Sequence, residues 1–312
     1  MPFYFQIALN VILPIFLVVG LGYALSKRFT LDLGSLSKLN FYVFIPVFMF
    51  YSLLIFKPGN REIEDTLLFN LLLACLSFLC MYGITRWLHF ETDLAAASTL
   101  SVMVFNSANY GIPTIQLAFP GADETTRGQG VAIQVITITA MNVIAYTLGI
   151  LVVGGWSEWK KGVVTVLKLP ILYAILAAIA VRQLDLNLPD ALLNPLKWTS
   201  DGMLPIALLT LGAQIGQGGV SLQKPAELWV TVVARLLLSP LLAYGLISVM
   251  GFHGLLARVL FVSSSFPTAV TTVLFGIEYN KEPTFTADVV FVTTLLSALT
   301  VTGAISLSAV IF

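Results

Sequence analysis

Apolar runs of about 20 residues recur along the chain, and charge is confined to short segments between them. That length is what a helix needs to cross the hydrocarbon of a bilayer. Ten such runs are read, over roughly 3–25, 36–56, 66–85, 94–119, 129–153, 168–183, 199–216, 226–250, 255–277 and 285–311. Charged residues make up only 10% of the chain and apolar ones 58%, against about 25% charged in a soluble domain. The expected fold is an all-α integral membrane protein. No linker is long enough for a soluble domain; segments such as Lys57 to Asp65 and Trp156 to Lys161 read as charged connections.

Lys+Arg and Asp+Glu are both 16, so no basic field is available to attract nucleic acid. Cys75 and Cys80 match no metal or redox spacing and read as packing residues. The first basic residue, Lys27, follows the first apolar run, so that run is expected to stay as a span. With the N-terminus outside, the cytoplasmic ends hold Lys27, Arg28, Lys38, Arg86, Lys160, Lys161, Lys168, Lys224 and Lys281. The outer ends hold Lys57, Arg61, Arg127, Arg182, Lys197 and Arg258. Nine against six places both termini outside, in a plasma membrane or bacterial inner membrane.

Prolines line up across the two halves. Pro14 and Pro170 are 156 apart, Pro46 and Pro205 are 159 apart, and Pro113 and Pro267 are 154 apart. Lys38 and Lys197 each precede the second pair by eight residues. Residues 1–154 and 155–312 therefore read as two five-helix repeats of inverted topology. Pro113 and Pro267 interrupt spans four and nine among small polar residues, and proline removes a helical N–H and crowds the carbonyl four before it. The carbonyls of Asn109 and Ser263 are the ones expected to be freed. Such breaks persist in lipid only where protein or water satisfies them. Paired broken spans are the usual place for a transporter's substrate, and half-helix N-termini favour an anion. The candidate substrate-binding residues are Asn106, Asn109, Gly111, Pro113, Thr114, Ser263, Ser264, Ser265, Pro267 and Thr268.

Further polar residues lie inside spans. Gln134 and Asn142, eight apart, share a helix face and are candidates to line the pocket, while Gln116 and Gln214 read as contacts between helices. Arg235 sits near the bilayer centre and either holds helix-end carbonyls or meets the ligand. Asp201 is expected to cap span seven. Asp288 is an interfacial acid or a carrier of a proton or sodium, and Asp65 is a possible supporting acid. No metal cluster, phosphate loop or nucleophile elbow is found; no cofactor and no enzymatic activity is expected.

The chain resembles the auxin efflux carrier superfamily, which includes plant PIN carriers and bacterial malate or malonate permease-like members. The matching residues are Asn106-x6-Pro113 with Gly111-Ile112, Leu209-x-x-Gly212-Ala213, Arg235-Leu-Leu-Leu-Ser-Pro240 and Glu278-Tyr-Asn280. The resemblance implies a scaffold of spans 1, 2, 6 and 7 and a transport domain of spans 3–5 and 8–10. It also implies crossing of spans 4 and 9, elevator-type movement and substrate contact at Asn106. Where PIN carriers have an aspartate and a lysine four apart, this chain has Asp65 and Phe69, and it lacks their long central loop. The expected function is a secondary carrier of a small organic anion, by export or exchange, with a sodium- or proton-coupled symporter similar to the bile-acid symporters as the alternative. Expected partners are the anion and the lipid bilayer, with a homodimer through the scaffold helices.

Overall fold

The computed structural model describes residues 3–56, 58–119, 122–218, 221 and 223–312. Lys57, counted above among the outer-end charges, lies outside the described residues. Among the described residues six helices are long and apolar enough to cross a bilayer: α1 (Tyr4–Arg28), α2 (Leu33–Ile55), α3 (Asn60–Trp87), α6 (Glu124–Gly154), α10 (Pro225–Met250) and α13 (Pro283–Ile311). The protein is a multi-pass membrane protein. Two expected spans are each broken into halves: α4 (Thr92–Met103) with α5 (Gly111–Leu117), and α11 (Gly254–Ser264) with α12 (Thr271–Glu278). Between α6 and α9 (Asp190–Gln217) lies a bent pair, α7 (Trp156–Leu167) and α8 (Pro170–Gln183), which meet at 47°. The segment expected to be a mere connection, Trp156 to Lys161, is thus helical.

Proline chemistry shapes the unbroken helices as well. Wide turns at Ala8–Ile12, Asn40–Phe44 and Ala234–Leu238 each end two residues before a proline, Pro14, Pro46 or Pro240. A helix that meets a proline loses one rung and must move the crowded carbonyl aside; widening the turn does both. A fourth wide turn, Ala145–Gly149, has no such proline beside it. The helix ends follow ordinary capping. Asp32 and Asp123 accept the N–H groups of Gly34 and Thr126 at the starts of α2 and α6.

Asp201, expected as a cap, instead lies inside α9, whose N-terminal flank is Pro189; it pairs with Lys197 at 2.7 Å, one turn earlier. The apolar count missed the polar first turns of α9, so its start was placed too late. Cys75, expected to pack, faces outward from α3.

Helices α1 and α9 cross at close range. A Cβ at Gly212 would lie 1.9 Å from the carbonyl oxygen of Val19. Only glycine lets the two backbones meet at this point, a device common between membrane helices. One apolar core then runs through both halves, from Val11 and Ile15 of α1 to Val301 and Ile305 of α13.

Polar contacts join several connections on one face of the bundle. Gln217 at the end of α9 donates to the Leu31 carbonyl between α1 and α2. Lys224, just before α10, pairs with Glu91 before α4 and with Glu282 before α13. Lys281 pairs with Asp93, and Lys161 of α7 with Glu278 at the end of α12.

Candidate functional site

The two breaks lie against each other. The Asn106 N–H donates to the Pro267 carbonyl at 2.8 Å, and the Ala269 N–H donates to the Val104 carbonyl at 3.0 Å. Phe105 and Thr268 form an antiparallel bridge between them. Each break therefore supplies the backbone partners that the other lost, which meets the requirement that buried polar backbone be paired. Pro113 sits in the first turn of α5, where its missing N–H matters least. The Ser263 carbonyl, expected to be freed by Pro267, accepts the Phe266 N–H at 3.2 Å because the chain tightens there into a short turn.

Two side chains fasten this junction. Gln134 of α6 is fully buried; its Nε2 donates to the Ser107 carbonyl at 2.7 Å, and its Oε1 accepts the Ser263 hydroxyl at 2.6 Å. It bridges the two breaks rather than lining the cavity. Arg235 of α10, also fully buried, reaches the C-terminal ends of both leading half-helices. Its Nη1 donates to the Val102 carbonyl at 2.5 Å, and its Nη2 donates to the Ser239 hydroxyl at 2.7 Å and to the Ser264 carbonyl. The guanidinium also lies over the Phe105 ring, 5.2 Å from its centre. A cation at two helix C-termini meets the partial negative charge of both and satisfies carbonyls that have no helical partner. These bonds to helix-end carbonyls match the first of the two roles read from sequence.

A cavity of about 100 Å³ lies beside the junction. Asn106, Ser107 and Asn109 line it from the first break, Val270 and Thr271 from the second, and Asn142 from α6. Asn106 Nδ2 is buried and has no partner among the described residues, while its Oδ1 accepts the Tyr110 N–H at 3.4 Å. Asn109 Oδ1 accepts from Asn40 Nδ2 of α2 at 2.8 Å, and the Asn40 Oδ1 is likewise buried and unpartnered. Unsatisfied buried amides are costly, so a pair of them beside a cavity marks a place where a polar ligand gains most. A neighbouring cavity shares Phe41, Ile45, Asn109, Val270 and Thr271 with the first and reaches Ser37, Lys38 and Gln214. It extends towards the start of α2, where Lys38 stands exposed.

Several expected donors point elsewhere. The Ser264 and Ser265 hydroxyls donate back to the Phe261 carbonyl, as serines in helices commonly do. Thr114 donates to the Tyr110 carbonyl, and Thr268 to that of Ser101. Gly111 is buried at the start of α5. Asn142 donates to Ile138 of its own helix while facing the cavity. Asp65 lies outside the site, 3.8 Å from Arg61, and Phe69 is buried in the core. Asp288, expected at the interface, is fully buried and accepts the Ser221 N–H at 2.9 Å. Asn40 was missed, though a lone asparagine in an apolar span was a usable signal.

Residues 160–305 match the family described as Membrane transport protein. The chain is 24% identical to a protein of Rhizobium meliloti (strain 1021) named "Putative malonate transporter", over 94% of this chain and 93% of that one. It is also 24% identical to an uncharacterized transporter of Methanothermobacter thermautotrophicus, over 92% and 93% of the two chains. An uncharacterized transporter of Methanocaldococcus jannaschii is 28% identical over a shorter stretch, 36% of this chain and 37% of that protein.

Proposed function

We infer that this chain, which belongs to the auxin efflux carrier superfamily, is a secondary carrier of a small organic anion. The observation that carries this reading is the pair of mutually hydrogen-bonded breaks, with the unpartnered amide of Asn106 beside a cavity between them and α2. Among the described residues the cavity lining contains amides, the two hydroxyls of Ser107 and Thr271 and apolar groups but no carboxylate, and Lys38 borders the adjoining cavity. Amide N–H groups and the N-terminal ends of α5 and α12 supply positive partial charge suited to a carboxylate. The name of the Rhizobium relative makes malonate the first ligand to try.

In this reading ten helices cross the membrane as two inverted sets of five, with the broken spans crossing at the middle. The joined connections on one face support an arrangement with both termini on the other. The Asn40–Asn109 bond links α2, on the proposed scaffold, to a break in the proposed moving domain. It would have to exchange for ligand contacts as that domain slides. Outward movement of one negative charge at 100 mV, inside negative, releases about 2.3 kcal/mol, so export needs no coupling ion. Purified protein in liposomes should exchange internal for external radiolabelled malonate, and Asn106→Ala should abolish most of that flux. Equal flux in the variant, or none in either for any small carboxylate, refutes the reading.

The buried carboxylate of Asp288 favours a second reading, proton-coupled symport. In that case a pH gradient drives uptake and Asp288→Asn removes the gradient dependence while leaving exchange intact.

A further inference from the structure

Helix α7 joins the two halves and is held to the bundle at few points. Gly162 is its buried residue: a Cβ there would lie 2.5 Å from the Tyr146 carbonyl oxygen, so the helix rests directly on α6. Its other side is bare. Trp159, Val163 and Leu167, spaced four apart, form one exposed apolar stripe, with Val164 and Trp156 exposed beside it. Trp156 is 79% exposed and Trp159 47%. Three lysines accompany this stripe. Lys161 is occupied by Glu278 at 2.6 Å and lies over the Tyr279 ring. Lys160 lies over the Trp159 ring, and neither it nor Lys168 has an acidic partner among the described residues. Both are exposed.

In water two bare indoles beside three bare aliphatic side chains would be a liability. At a membrane surface they are what the environment selects, with aromatic rings at headgroup depth and lysines reaching phosphates. The helix also leads straight into α8, so its place beside the bilayer is fixed by the chain.

We propose that α7 is a binding site for anionic lipid headgroups, with Trp156, Trp159, Val163 and Leu167 seated in the headgroup layer and Lys160 and Lys168 holding lipid phosphates. The proposal stands independently of the carrier reading. Through Lys161 and Glu278 it also ties the lipid surface to the end of α12, the half-helix that follows the second break.

The test uses full-length protein in which Trp87, Trp156, Trp198 and Trp229 are replaced by Phe, leaving Trp159 as the reporter. The protein is placed in vesicles of phosphatidylcholine mixed with brominated phosphatidylcholine or with brominated phosphatidylglycerol at equal fractions. Brominated phosphatidylglycerol should quench Trp159 with the higher relative affinity, by up to about 30-fold if each lysine contributes its usual surface interaction. High salt should reduce that preference, and Lys160→Gln with Lys168→Gln should abolish it while quenching by brominated phosphatidylcholine stays unchanged. Equal quenching by the two lipids, a preference that survives the double substitution, or no quenching by either lipid overturns the proposal. The last result would place the stripe against a soluble partner instead. None of these readouts requires transport, so a failed flux assay leaves them intact.

Discussion

Replacing Arg235 by lysine separates a helix clamp from a ligand contact. The guanidinium bonds two carbonyls on different half-helices, Val102 and Ser264. An ammonium keeps the charge but, as a compact point donor, cannot span both sites. One carbonyl is then left without its charged donor, a loss of about 1.5–3 kcal/mol. Arg235→Met loses both carbonyl bonds, about 3–6 kcal/mol, but also relieves the cost of holding a charge at bilayer depth, about 2.5–3.5 kcal/mol. Its net effect falls between about 0 and 3.5 kcal/mol. The two ranges overlap, so preserving the charge with lysine should bring no stability advantage over methionine beyond this spread. Thermal unfolding of purified protein, followed by tryptophan fluorescence, should show Arg235→Lys melting roughly 3–12 °C lower. A ligand contact predicts the reverse order: lysine retains stability and most anion affinity, while methionine loses affinity alone. That outcome would refute the clamp.

Three further perturbations follow from the same geometry. Gln134→Leu leaves the Ser107 carbonyl and the Ser263 hydroxyl unmatched, at about 2–6 kcal/mol, so stability and ligand binding should fall together in thermal-shift titrations. Gly212→Val drives a side chain into the backbone of α1, which cannot yield; size-exclusion chromatography should show little monodisperse protein, and a normal profile would contradict the close crossing. At the membrane surface, Asp32 and Asp123 are held below the ordinary carboxylate range, chiefly by hydrogen bonds from Ser35 and Thr126 respectively. Folded values below unfolded ones mean that their contribution is present above about pH 4 and is lost as pH falls through the folded values. Asp32→Asn with Asp123→Asn should flatten the acid limb of melting temperature against pH, and an unchanged limb would show that these caps contribute nothing to it.

Much of the fold was legible because bilayer physics is local in sequence. Apolar length marks spans, and a proline among asparagines or serines marks a break. What the breaks do to one another was not legible: the bond from Asn106 to the Pro267 carbonyl joins residues 161 apart, a pairing without local trace. Composition suggested polar donors at both breaks, yet the serines at 264 and 265 bond within their own helix, leaving the asparagines to face the cavity. Helix α7 escaped notice because its apolar stripe spans little more than two turns and its lysines suggested a loop. Asp201 misled because a cap and an i,i+4 pairing residue look alike when the helix start is placed too late.

The central claim is that the joined breaks hold an anion through Asn106. Isothermal titration of purified protein with malonate and related small carboxylates tests it directly, comparing the parent, Asn106→Ala and, as a remote control, Arg61→Gln. One hydrogen bond to a charged ligand corresponds to roughly a 10–100-fold change in affinity. The account predicts that loss for Asn106→Ala alone, while the ligand-free variant stays folded and is destabilised only by the lost bond from the Tyr110 N–H, about 1–3 kcal/mol. Parental affinity in Asn106→Ala would contradict it.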